Sequence, residues 1–278
     1  MVQLTFYGGV EEIGGNKLLL EDGERRLLLD FGFPYKRNKL FYEEYLRPRS
    51  GVGLLDSLAM GLLPPLSGIY RDDLQPPGLW QRFQGVPAYR ELEQVDGLLL
   101  SHAHLDHSGY ISLLRGDIPI YATAVTAFIA KAMQDSGVSG LDQQVCYFTP
   151  RVRQYPAGWK QEALVAGSDK QQRQFCLGDR EPGSLSAEAV NFWGETAGQK
   201  GLLSKPLAGC GDGIFNLRCF PVDHSIPGAC AWGIETASGW VIYSGDLRLH
   251  GRRGGLTREF IERPVACVPG HSYWKVPM

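Results

Sequence analysis

Three histidines and an aspartate crowd six consecutive positions in the stretch Ser101-His102-Ala103-His104-Leu105-Asp106-His107-Ser108-Gly109. The chain of 278 residues holds only six histidines, so half of them lie here. An apolar run, Val95 to Ser101, precedes the cluster, and Ile111, Leu113 and Leu114 follow it. That pattern puts the cluster where a buried strand hands over to a helix, and in open α/β sheets functional groups gather where the chain leaves its strand ends. His102 and His104 are two apart, so in extended backbone they point the same way and can hold one metal ion. Asp106 and His107 come after the turn and can face a second ion. Mixed imidazole and carboxylate ligation suits zinc, with iron and manganese as the alternatives. Packing does not account for such a cluster, because burying so many polar groups without a metal is costly.

The remaining pattern is that of an α/β fold. Residues 2–7 alternate apolar and polar, as a half-buried strand does. Two further strands, Lys17 to Glu21 and Arg25 to Asp30, flank an Asp-Gly hairpin signal at Asp22-Gly23. Strands are also expected at Ile118 to Tyr121, Phe215 to Val222, Ala229 to Thr236, Trp240 to Ser244 and Val265 to Val268. Thr123 is placed to cap a helix from Ala124 to Met133. Strand–helix alternation of this kind marks an α/β class. One domain spans 1–278, with insertions at about 33–90 and 150–214. In the first insertion helices are expected at Leu40 to Leu46 and Leu54 to Leu62, and in the second at Trp159 to Val165. Lys36, Arg37, Lys39, Arg47, Arg49 and Arg71 form either a solvated face or a lip for an anionic substrate.

Composition narrows the functional classes. A net charge of −2 argues against a strongly basic, nonspecific nucleic-acid binder, while leaving room for a local basic groove. The six cysteines form no Cys-x-x-Cys pair and read as reduced thiols. Met1 to Phe6 lacks the features of a signal peptide, and no apolar run approaches a membrane span. A cytoplasmic protein without membrane contact is expected.

Four ligands do not complete two metal sites. His224 ends one expected strand and Asp246 another, and each is followed by turn residues. His224 is assigned to the first ion and Asp246 as a carboxylate bridge between the two. His271, after the last expected strand, is an additional ligand candidate.

The string His102-Ala-His104-Leu-Asp106-His107 resembles the H-x-H-x-D-H signature of the metallo-β-lactamase superfamily. Asp30 in Leu-Leu-Leu-Asp-Phe-Gly, His224 in Val-Asp-His-Ser-Ile-Pro-Gly-Ala and Asp246 in Tyr-Ser-Gly-Asp-Leu-Arg-Leu-His-Gly follow its further motifs in order. Gly8-Gly9-Val10-Glu11-Glu12-Ile13-Gly14-Gly15-Asn16 and Asp223-His224-Ser225-Ile226-Pro227-Gly228 are similar to the β-CASP branch, bacterial ribonuclease J in particular. The resemblance covers about 2–32, 95–130 and 215–262. It implies an αββα sandwich with metals at one edge, ending before a β-CASP domain. It also implies that Asp30 steadies the metal site from behind the ligands; Asp30 is grouped with Asp106 as catalytic.

Two divalent metal ions, zinc by preference, imply hydrolysis through an activated hydroxide. RNA is the expected substrate and a homo-oligomer an open option. Arg248 and His250 are substrate-side candidates; Arg252, Arg253 and Arg258 lie close by. The alternatives are a thioester or lactone hydrolase on the same scaffold and a catalytically impaired fragment that binds RNA.

Overall fold

The structure is a computed structural model that describes residues 1–43, 46, 49–137, 140–154, 163–196, 201–211, 214–266 and 273–276. Its frame is two sheets. The first runs in the order β1 (Val2–Gly8), β2 (Lys17–Asp22), β3 (Arg25–Phe31), β4 (Gly97–Leu99), β5 (Ile120–Ala122), β6 (Phe175–Leu177) and β7 (Ala208–Gly209). β1 to β3 pair antiparallel, and from β3 onward the pairing is parallel. The second sheet is β8 (Leu217–Pro221), β9 (Cys230–Thr236), β10 (Gly239–Tyr243) and β11 (Tyr273–Val276).

Period-two alternation sorts the side chains into layers. Leu18, Leu20, Leu27, Leu29 and Leu99 leave one face of the first sheet and meet Cys230, Trp232, Ile234, Val241 and Tyr243 from the second. The intervening Leu19, Leu28 and Leu98 leave the opposite face and join a larger core. That core takes in α2 (Leu55–Ala59) through Leu58, α4 (Ala124–Ser136) through Ala127 and Ala130, and α5 (Ala187–Gly194) through Trp193. On the far side of the second sheet, Ala231 and Ile242 meet Phe260 of α6 (Gly254–Ala266). Helix, sheet, sheet, helix is the αββα order expected from the sequence.

Several local expectations need correction. α1 covers Tyr35–Phe41 and stops at Tyr42, where a helix from Leu40 onward was expected. Of the helix expected at Trp159 to Val165, residues 159–162 lie outside the described residues, and Ala163 to Val165 belong to a strand, Ala163–Ala166, paired antiparallel with Arg151–Gln154. Val265 and Ala266 end α6 and do not begin a strand. Arg71 is buried: it pairs with Asp73 and donates to the carbonyls of Ser112 and Thr149, so it is part of no lip. Arg37 and Arg49 are engaged with Glu12 and Asp56. Arg47, Cys267 and His271 lie outside the described residues. Cys146, Cys176, Cys210, Cys219 and Cys230 are free thiols. Among the described residues, no helix is long and apolar enough to cross a membrane.

Lys17 opens β2 in a setting that few lysines occupy. It is 2% exposed, its Nζ donates to the Gly15 carbonyl at 3.1 Å and it faces the rings of Tyr110 and Phe31. Burial pulls its pKa from 10.5 down to about 7, with Glu12 opposing and Arg37 assisting. The folded state therefore binds fewer protons than the unfolded state between about pH 7 and 10.5. Stability should rise with pH across that window, by up to about 1.4 kcal/mol per unit, with no contribution to the slope below it. Lys17→Met should remove that slope. Denaturant midpoints at pH 7 and pH 9 test this, and equal pH dependence in both proteins would refute it.

Candidate metal centre

The site grows from the C-terminal end of β4. Trp232 Nε1 donates to the Leu100 carbonyl at 3.1 Å, and the Cys230 N–H donates to the Ser101 carbonyl at 3.0 Å. The second sheet thereby anchors the chain just before the histidines. α3 (Leu105–Ser108) follows, and its first turn is held from below. The Asp106 carbonyl accepts from the N–H groups of Gly15 and Asn16 at 2.9 and 3.2 Å. A Cβ at Gly32 would stand 1.6 Å from that carbonyl oxygen, so only glycine lets the backbones approach this closely. On the other side, Gly245 (φ +55°) packs against Ser101, where a Cβ would lie 2.5 Å from the serine's own. This close approach sets Asp246 beside His107.

Among the described residues, two groups of side chains offer ligand atoms within 4.8 Å of one another: His102, His104 and His224, and His102, His107 and Asp246. His102 belongs to both. Asp246 Oδ2 lies 3.5 Å from His107 Nε2 and 3.6 Å from His224 Nε2, a place from which a carboxylate can bridge. Asp106 Oδ2 is 3.9 Å from His107 Nε2, at the margin of the second group. His250 is exposed and lies apart from both groups.

Asp30 organises the ligands. It is fully buried, in left-handed backbone at φ +52°. Its Oδ1 accepts from the Ser101 N–H at 2.8 Å. Its Oδ2 accepts from Ser101 Oγ at 2.6 Å, His107 Nδ1 at 2.7 Å and Tyr243 Oη at 2.5 Å. With its hydroxyl hydrogen given to Asp30, Ser101 Oγ is left to accept from His102 Nδ1 at 3.0 Å. One carboxylate thus fixes two tautomers, directly for His107 and through Ser101 for His102. In both rings Nδ1 carries the hydrogen and Nε2 faces the site. Oriented imidazoles of this kind are what metal ligation requires. Asp30 touches no solvent, and both of its oxygens are committed to these donors.

The electrostatics agree with this chemistry. Burial drives the His102 pKa far down, with His107, His224 and His104 adding to the effect, so its ring is neutral. At His107 burial acts in the same direction, yet Asp30 and Asp246 overcome it and push the pKa up to about 10. The pair of carboxylates therefore favours positive charge at His107 Nε2, and a cation there would replace that proton. The hydrogen bond from His107 lowers Asp246. A neutral, oriented His102, a His107 whose Nε2 proton a cation would displace, and the Asp246 carboxylate form a donor set that fits divalent zinc, manganese or iron.

No family model matches the chain. Two curated proteins named ribonuclease J are similar to it. The Corynebacterium glutamicum protein is 25% identical over 245 residues, 87% of this chain and 21% of that protein. The Mycolicibacterium smegmatis protein is 25% identical over 251 residues, 89% of this chain and 28% of that protein. The chain thus spans less than a third of the length of these relatives. A solved structure of an Enterococcus faecalis protein of unknown function shares the fold, with a TM-score of 0.55 and 22% identity, over 94% of this chain and 47% of that one. Fold and site together define an αββα protein with a candidate metal centre. In sequence the chain resembles bacterial ribonuclease J.

The sequence reading did not single out Ser101 or Tyr243. Ser101 stood in the motif as a strand end and Tyr243 inside Tyr-Ser-Gly-Asp, and nothing local marks either as a partner of Asp30.

Proposed function

We propose that the chain is a metal-dependent hydrolase of phosphodiesters, with RNA as its substrate. The observation that carries this reading is the pair of donor groups joined at His102, with His102 and His107 locked so that Nε2 faces inward. The similarity to proteins named ribonuclease J favours RNA among phosphodiesters. His102, His104 and His224 would hold one ion; His102, His107 and Asp246, with Asp106 at the margin, would hold another. Ions held there would supply Lewis acidity and lower the pKa of water toward neutrality.

The protein's own groups do the rest. Asp106 and Asp246 are the site carboxylates that solvent reaches, with side chains 20% and 37% exposed. Asp246 is engaged by His107 and His224, so Asp106 Oδ2 is assigned to take the proton from the attacking water. Asp30, Ser101 and Tyr243 hold the imidazoles still while charge develops on the phosphoryl oxygens.

The test is turnover of a labelled RNA, a phenyl thioester and an acyl lactone by protein purified with and without added zinc or manganese. RNA cleavage that a chelator abolishes and metal restores is the expected result. Turnover of the thioester or lactone alone would overturn the RNA reading. No metal-dependent turnover of any substrate would overturn hydrolysis.

A further inference from the structure

A cavity of about 450 Å³ opens beside His224, between the loop that carries that ligand and the start of α6. Asp223, His224, Ser225, Arg248, Arg252 and Arg253 are among its lining residues. Both walls are fixed. The Gly228 carbonyl accepts from Thr123 Oγ1 at 2.7 Å and Thr126 Oγ1 at 2.8 Å, which ties the His224 loop to the start of α4. On the opposite side the Asp223 N–H donates to Thr257 Oγ1 of α6 at 2.9 Å, and the Arg248 N–H to the Asp223 carbonyl at 2.8 Å.

The charges of the cavity do not balance. Asp223 is 3% exposed, and its Oδ1 accepts from Arg248 Nη2 at 3.3 Å. A Cβ at Gly251 would stand 1.8 Å from Asp223 Oδ2 and 2.2 Å from Arg248 Nε, so the bare glycine lets this pair close. Asp223 and Arg248 therefore neutralise each other at the floor. Arg252 and Arg253 are exposed at the rim, and among the described residues neither has an ion-pair partner. The first turn of α6 adds no acidic residue to offset them. A fixed recess with two unmatched guanidinium groups is chemistry for an oxyanion, because arginine pairs with phosphate through parallel charge-assisted hydrogen bonds.

We propose that this cavity seats a phosphate group of the substrate neighbouring the one that is cleaved, held by Arg252 and Arg253. The assignment rests on the phosphodiesterase reading and deepens it. His224 lines the cavity and also belongs to the donor set, so the two positions adjoin. A polyanionic strand can occupy both at once, whereas a lactone or thioester has nothing to place in the second.

The test compares wild-type protein with the double variant Arg252→Ala/Arg253→Ala, and with Arg82→Ala as an exposed arginine outside the cavity. Binding of a fluorescein-labelled phosphorothioate RNA, chosen to resist cleavage, is read by anisotropy across a salt series. Hydrolysis of bis(p-nitrophenyl) phosphate, which carries one phosphate only, is read alongside. The double variant should bind RNA about 10- to 100-fold more weakly. Its salt dependence should flatten by about 0.7 in log–log slope for each phosphate that is no longer neutralised. Turnover of the small diester should fall by a smaller factor than RNA affinity does, and Arg82→Ala should match wild type in both assays. RNA affinity and salt slope unchanged in the double variant would overturn the assignment. Wild-type protein that cleaves neither RNA nor the small diester would overturn the phosphodiesterase reading instead, and the anisotropy series would still decide whether the cavity takes phosphate.

Discussion

His102→Ala should empty the whole metal centre, whereas His104→Ala should empty half of it. The asymmetry follows from the geometry. His102 contributes to both donor groups, and His104 to one. His102 is also the best prepared of the ligands: fully buried, kept neutral by burial and held at Nδ1 by Ser101. Without it each group falls from three donors to two. Without His104 the group of His102, His107 and Asp246 is intact. Elemental analysis after loading with zinc and dialysis should find almost no metal in His102→Ala and about one equivalent in His104→Ala, against two in the parent chain. Hydrolysis should fall by about 10³-fold or more in His102→Ala, since the centre supplies both the acidified water and the neutralising charge. Far-ultraviolet circular dichroism should show both variants folded, because Ser101 still donates to Asp30 in each. Equal metal content in the two variants would refute the shared-ligand geometry.

The legible parts of the chain are those whose signal is local. The two strands expected around Asp22-Gly23 are present as β2 and β3, paired antiparallel across that turn. Thr123 caps α4 as its position implied, its Oγ1 accepting from the Thr126 N–H at 3.1 Å. The donor cluster from His102 to His107 was visible because its residue types are rare and adjacent. Expectations failed where burial had to be assumed. Leu40 and Leu46, which bound one expected helix, are 76% and 60% exposed, so no core fixes a helix by them. The helix placed at Trp159 to Val165 missed a strand whose partner, Arg151–Gln154, cannot be recognised from either segment alone. At the C-terminal end a strand was expected from Val265, but the helix anchored by Phe260 against Ala231 and Ile242 continues to Ala266. The support of the metal centre was hidden for a further reason: Asp30 draws its partners from 71 and 213 positions away, distances at which sequence carries no pairing signal.

That hidden support gives the second large effect. Asp30→Asn keeps the shape of the side chain and tolerates the left-handed backbone, since asparagine visits that region readily. What it removes is an acceptor. In the parent chain both Asp30 oxygens receive hydrogen bonds: one from the Ser101 N–H, the other from Ser101 Oγ, His107 Nδ1 and Tyr243 Oη. An amide must turn its NH₂ toward one of these two sets, so at least one buried donor then faces another donor. An unsatisfied buried group costs about 1–3 kcal/mol, and the network couples several of them. Asp30→Asn should therefore lower folding stability by about 2–4 kcal/mol. The same change frees both tautomers, His107 directly and His102 through Ser101, and should weaken metal binding by about 10- to 100-fold. Asp30→Ala, which adds backbone strain and leaves all four donors without an acceptor, should be worse on both counts. Denaturant titration and competition with a zinc chelator read the two effects separately. A loss of stability with metal affinity intact would reduce Asp30 to a packing role, and wild-type values of both would refute the orienting network.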